Sequence, residues 1–203
     1  MIELRVLELL CARFCHEMVS PVGAIGNGVE LLDEDDPEFV REAISLIGQS
    51  ARTASRRLQF YRFAYGTAPT ASGVTARDLL MGFLEGGKVA ADWEPALSSL
   101  SSEWQRLACN LAVIAVETLP RGGRIVLRSA AAPGPGLEIE ASGESVLVNR
   151  DVMAALGGGV SAAELSSRTI HGHVTAKFAE ELGAVAALAE SGPSRALFVA
   201  SGR

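Results

Sequence analysis

The stretch Val40-Arg-Glu-Ala-Ile44-Ser-Leu-Ile47-Gly-Gln-Ser-Ala51-Arg-Thr-Ala54-Ser-Arg-Arg-Leu58-Gln-Phe-Tyr61 places apolar residues at alternating intervals of four and three. That spacing is the seam of a coiled coil or helical bundle, and a helix carrying it needs partners along its whole length. Just upstream, Asp33-Glu-Asp-Asp-Pro37 predicts a break, because four acids cannot pack together and proline favours the first position of a new helix. Before the break, Leu7, Leu10, Phe14, Met18, Ile25, Val29 and Leu32 form a comparable stripe. Arg13, His16, Glu17, Ser20 and Asn27 gather on another, wet side. The reading is an αα-hairpin. At ~1.5 Å per residue each helix is roughly 45 Å long, and its seam is wider than one neighbour covers. Two hairpins pairing into a four-helix bundle solve this, so residues 1–65 are expected to form a homodimer.

Residues 66–73, Gly-Thr-Ala-Pro-Thr-Ala-Ser-Gly, read as a turn-rich linker and a domain boundary. In residues 74–203 helices are expected over 76–84, 102–119 and 169–182. Strands are expected over 88–93, 124–130, 137–141, 185–188 and 196–200, with the turn-former Pro133-Gly-Pro-Gly136 between the second and third. The fold class is therefore α+β. A helical hairpin that forms a dimeric bundle precedes a two-layer α/β sandwich with a mixed or antiparallel sheet.

Composition bounds the function. The chain has 203 residues, 48% of them apolar, and a net charge of −6. It should fold, and it offers no basic footprint for nucleic acid. Its longest apolar runs, such as residues 107–116, are too short to span a bilayer, and no charged start with a cleavage site precedes Leu4. A cytoplasmic location without membrane attachment is expected. Three cysteines, an odd number, argue for reduced thiols. Proteins or small molecules remain as partners.

His16 is the one histidine of three on the wet helical face, and Pro21 follows five residues later inside the same helix. An internal proline removes a backbone hydrogen bond at a cost of ~3 kcal/mol, so it needs a compensating reason. Imidazole suits reversible phosphoryl transfer, being nucleophilic when neutral near pH 7, with its other nitrogen held by an acceptor such as Glu17. His16-Glu17-Met18-Val19-Ser20-Pro21 matches the H-box of dimeric sensor histidine kinases, His-[Glu/Asp]-x-x-[Ser/Thr]-Pro. The longer stretch from Cys15 through Val22-Gly23-Ala24-Ile25-Gly26-Asn27-Gly28-Val29-Glu30-Leu31-Leu32 more closely resembles the ChpT-type histidine phosphotransferases. In that family a kinase-like dimerisation hairpin is followed by a degenerate ATPase-like domain.

The second half departs from an ATP-binding kinase domain at each nucleotide contact. Kinases carry Asn-x-x-x-Asn-Ala-x-Lys, whereas this chain has Asn110-Leu-Ala-Val-Ile114-Ala115-Val-Glu117. Isoleucine offers no oxygen to magnesium, and Glu117 reverses the sign of the phosphate-facing lysine. The adenine-reading Asp-x-Gly-x-Gly corresponds to Ala141-Ser142-Gly143-Glu144-Ser145, and His171-Gly172-His173 stands where a glycine-rich lid should open a helix. No ATP and no metal of its own are expected.

The resemblance implies that His16 is phosphorylated, with Glu17 and Ser20 in the catalytic turn and Arg13, Pro21 and Asn27 in the docking surface. It implies a phosphorelay from the receiver domain of a hybrid kinase of the CckA type to response regulators of the CtrA and CpdR type, with Mg²⁺ supplied by the receiver. Two other readings stand beside it: an ATP-dependent kinase with an unusual pocket, and a non-catalytic dimerisation scaffold. Cys11 and Cys15 read as small bundle-facing residues, Gly157-Gly-Gly159 as a loop, and His171 with His173 as too divergent for a shared metal. Arg52, Arg56, Arg57 and Arg62 read as a solvated basic face that would also attract an acidic receiver.

Overall fold

The computed structural model describes residues 3–66, 73–130 and 134–202. The interior of the linker at 67–72, and Ala131 and Pro133 in the predicted turn, lie outside the described residues.

Helix α1 (Leu4–Glu30) runs through a short 3-10 turn (Leu31–Asp33) into α2 (Pro37–Tyr65). Asp36 caps α2 by accepting from Glu38 N–H at 2.8 Å, and Pro37 fills the first turn where no N–H is needed. The helices close tightly near the turn. A Cβ on Gly28 would stand 2.7 Å from Ile47 Cγ1, so only glycine admits this approach.

Next come α3 (Ala76–Leu84), β1 (Val89–Trp93), α4 (Ser102–Glu117), β2 (Gly123–Ser129) and β3 (Gly136–Ser142). The chain ends with α5 (Arg150–Leu156), α6 (Ile170–Glu181), β4 (Ala184–Ser191) and β5 (Arg195–Gly202). The sheet order is β1-β2-β3-β5-β4, with β1 parallel to β2 and every other pair antiparallel. Register aligns Leu127, Ile139 and Phe198 in one row, and all three are wholly buried. The next row sets Glu140 on the opposite face, where Arg128 and Arg195 reach it at 3.5 and 3.0 Å. One face is dry and one wet, as a period of two dictates.

The dry face receives α4, which is buried almost all round, from Trp104 to Ala115. On its far side lies the base of the hairpin. Phe60, Tyr61, Phe63 and Ala64 of α2 are buried in the same core as Leu80, Leu107 and Phe198, and the Phe60 ring stacks on Phe83 at 4.2 Å. The upper hairpin is different. The seam expected to pack as one divides: Ile47 turns onto α1, Ala54 and Tyr61 are buried, and Ile44, Ala51 and Leu58 stay exposed. Leu7, Val22 and Val29 leave α1 equally bare. No helix among the described residues is long and apolar enough to cross a membrane.

Candidate functional site

His16 lies mid-way along α1 with its side chain exposed and, among the described residues, without a hydrogen-bond partner. Ser20 is one turn further and Asn27 three turns further, both exposed, so the three share one side of the helix. Gly23 and Gly26 beside them meet nothing within 4 Å of a built Cβ. The result is a low, polar strip on a rigid helix, with the imidazole as its tallest reactive group.

Three expected members of the site stand elsewhere. Glu17 is not the acceptor for His16: its carboxylate takes a hydrogen bond from Arg57 Nη1 at 3.1 Å, across the hairpin. Arg13 is not on the docking surface. It turns toward the α/β unit and pairs with Glu117 at the end of α4, leaving its side chain only 11% exposed. Pro21 is buried against the hairpin interior and cannot touch a docked protein. For Glu17 and Arg13 the physical origin is the same, a partner distant in sequence that helical periodicity cannot reveal.

The basic cluster thins in the same way. Arg56 pairs with Glu85 at 2.7 Å and Arg57 with Glu17, so of the four arginines only Arg52 and Arg62 remain exposed without an acidic partner among the described residues. Cys11 and Cys15 are exposed and line an open apolar cleft of about 590 Å³ with Leu10, Phe14, Leu58 and Tyr61. This cleft runs along the bare face of the hairpin.

The residues that the sequence sets against the kinase nucleotide motifs form a knot of internal contacts. Asn110 Nδ2 donates to the Ala64 carbonyl at 2.8 Å and to that of Arg106 at 3.0 Å. Ile114 is wholly buried, and Glu117 holds Arg13. His171 is buried too. Its Nε2–H donates to the Asn110 carbonyl at 2.8 Å, which fixes the tautomer and leaves Nδ1 to accept from the Tyr65 hydroxyl at 2.5 Å. Both ring nitrogens are engaged, so neither has a lone pair for a metal. Burial, with the Arg13 charge nearby, pushes the His171 pKa down to about 3. Burial likewise pushes Tyr65 up to about 12. The pair is neutral across physiological pH and ties α6 to the end of α2.

Sequence reasoning marked His171 and Glu117 as losses from a kinase pattern but missed what they do here. Tyr65 was missed altogether, and Arg57, read as part of a solvated basic face, was not seen as the partner of Glu17. The α2 seam alone gave no sign of them, since their partners lie 106 and 40 residues away.

With this geometry in view, the comparisons are specific. Residues 74–193 match the family model "Histidine phosphotransferase C-terminal domain". The chain is 34% identical over 181 residues to the protein phosphotransferase ChpT of Brucella abortus (strain 2308), covering 86% of this chain and 85% of that protein. It superimposes on a bacterial phosphotransferase structure determined at 1.7 Å with a TM-score of 0.81 at 29% identity, covering 99% of this chain and 98% of the other. An exposed H-box histidine on a hairpin, joined to a five-stranded sheet, thus occurs in a chain similar to ChpT along most of its length: it belongs to the ChpT-type histidine phosphotransferases and is a phosphotransferase of a phosphorelay.

Proposed function

We propose that His16 carries the phosphoryl group between receiver aspartates, with a hybrid-kinase receiver as donor and response regulators as acceptors. The observation that supports this most is the exposed, unpartnered imidazole on a helix that Arg57 ties to α2 through Glu17. A neutral imidazole nitrogen attacks the phosphorus of an aspartyl phosphate, the P–O bond to the aspartate breaks, and the carboxylate leaves with its electron pair. The other ring nitrogen keeps its proton. The reverse sequence delivers the phosphoryl group to the next receiver. Such transfer needs positioning and charge neutralisation more than covalent help, and the receiver with its Mg²⁺ provides the latter. In this reading Ser20, exposed one turn from His16, bonds the phosphoryl oxygens, and Asn27 extends the docking strip.

The protein acts as a homodimer through the bare face of the hairpin, where Leu7, Val22, Val29, Ile44 and Leu58 are exposed together. Large apolar side chains left exposed along one hairpin mark an interaction site. ATP has no part in the reaction. The residues at the kinase nucleotide positions do not fit it, because Ile114 is buried without an oxygen and Glu117 and Asn110 are committed to protein partners.

The deciding experiment incubates the purified chain with labelled phosphoreceiver and, separately, with labelled Mg-ATP. Label is expected from the receiver only and on His16 only. Label from ATP would instead support an active kinase, and label from neither a scaffold.

A further inference from the structure

The proline in α1 has a consequence two helices wide. In an α-helix the N–H of residue 21 would donate to the carbonyl of residue 17, and proline has no N–H to give. The Glu17 carbonyl, adjacent to His16, is therefore left without its intrahelical donor. Arg57 of α2 supplies the missing bond: its Nη1 donates to the Glu17 carbonyl at 2.5 Å. The same nitrogen donates to the Glu17 carboxylate at 3.1 Å. Both side chains are about three-tenths exposed, at 30% and 28%. Hydrogen bonds with an ionised partner are among the stronger ones, and two from one nitrogen fix direction as well as energy.

We propose that Arg57 is a positioning residue for His16: it takes the carbonyl that Pro21 frees and the Glu17 carboxylate together, sets the helical turn that presents the imidazole, and neutralises the charge beside the incoming phosphoryl group. This rests on the phosphotransfer function proposed above. The phosphoryl group is itself anionic, so an unpaired carboxylate on the neighbouring residue would repel it as it arrives. Arg13, the other cation one turn from His16, is committed to Glu117 and cannot substitute. Pro21 and Arg57 thus form one device, in which a proline creates an orphan acceptor and an arginine on the facing helix uses it.

The test measures phosphoryl transfer from a phosphorylated receiver at varied receiver concentration, in the wild-type chain, Arg57→Gln, Arg57→Lys, Pro21→Ala and Pro21→Ala/Arg57→Gln. Arg57→Gln should lower kcat on the order of tenfold with KM little changed, since the arginine is not in the docking strip. Arg57→Lys should recover most of that loss, because one ammonium nitrogen can make both bonds. The loss from Arg57→Gln should shrink in the Pro21→Ala background, where the restored N–H satisfies the Glu17 carbonyl. Arg57→Gln with wild-type kcat, a loss confined to KM, or an equal loss in both backgrounds would overturn the proposal. A wild-type chain that accepts no phosphate from receivers would instead defeat the function on which it rests.

Discussion

The upper hairpin and the hairpin base use histidine in opposite ways. Above, His16 stands exposed with no partner, on a helix fastened from behind by Arg57. Below, His171 is wholly enclosed, with one nitrogen on Tyr65 and the other on the Asn110 carbonyl. The first histidine has its environment arranged around it but not on it. A group kept for structure has every hydrogen-bonding site consumed. The α/β unit shows the same economy, since Asn110, Glu117 and His171 all bind the hairpin through Ala64, Arg13 and Tyr65.

The sharpest break of the comparison exchanges the losses. His16→Ala should abolish phosphorylation while shifting stability by no more than about 0.5 kcal/mol, as expected for an exposed site without partners. His171→Ala should do the converse. It leaves a cavity, with the Tyr65 hydroxyl and Asn110 carbonyl buried and unpaired, and should cost about 3 kcal/mol. Transfer assays on the folded protein and denaturant titrations separate the two; a labelled His16→Ala would remove the upper half of the contrast.

The second effect concerns what covers the bare face. Ile44 is 59% exposed in the protomer, so Ile44→Glu should leave the protomer folded. In a bundle dimer it buries two unpaired carboxylates, which are strongly destabilising. Light scattering should show monomers with unchanged circular dichroism. Ile47 is the poorer choice, because it packs on Gly28 inside one hairpin and its loss would damage fold and dimer together. An Ile44→Glu variant that remains dimeric would place the interface elsewhere.

A smaller effect probes the bond between the two regions. Glu117→Ala leaves the Arg13 guanidinium, 11% exposed, without its partner. Removing one member of a half-buried pair should cost about 1–3 kcal/mol. The pair lies one turn from His16, so the expected signature is lower stability with KM for the receiver retained. A change in KM alone would return Arg13 to the docking surface.

Local chemistry made much of this legible in the sequence. The acidic run ending in Asp36-Pro37 marks the start of α2, and the turn-former Pro133-Gly-Pro-Gly136 separates the two strands found as β2 and β3. The H-box singles out His16 because its spacing is local, and the structure leaves that side chain exposed. Helix α5 escaped notice, since seven residues after the Asn149 cap give too few turns for a period. Arg13 was misread because a helical wheel shows which side is polar, not that Glu117 waits 104 residues away. Pro21 lies between these cases: its cost was legible, and its remedy, Arg57, required the fold.

The smallest expected effect follows from the enclosed histidine. His171 has an ordinary pKa of 6.5 when exposed, and folding lowers it to about 3. The unfolded chain therefore binds a proton first as pH falls, and proton uptake favours the unfolded state. The stability this group confers is complete above pH 6.5 and declines below it, by at most about 1.4 kcal/mol per pH unit, down toward pH 3. His173, lowered by partial burial and then by Lys177, acts in the same direction. Asp78 and Glu164 are held low by hydrogen bonds from Thr75 and Ser161, so their losses begin only at more acid pH, near the ordinary carboxylate range. Between pH 6.5 and 5 the slope thus belongs mainly to His171. Denaturant titrations across that interval should show stability falling in the wild-type chain and a flatter profile in His171→Gln, which starts less stable but has no imidazole to protonate. An equally steep profile in His171→Gln would assign the acid sensitivity to other groups and leave His171 as packing alone.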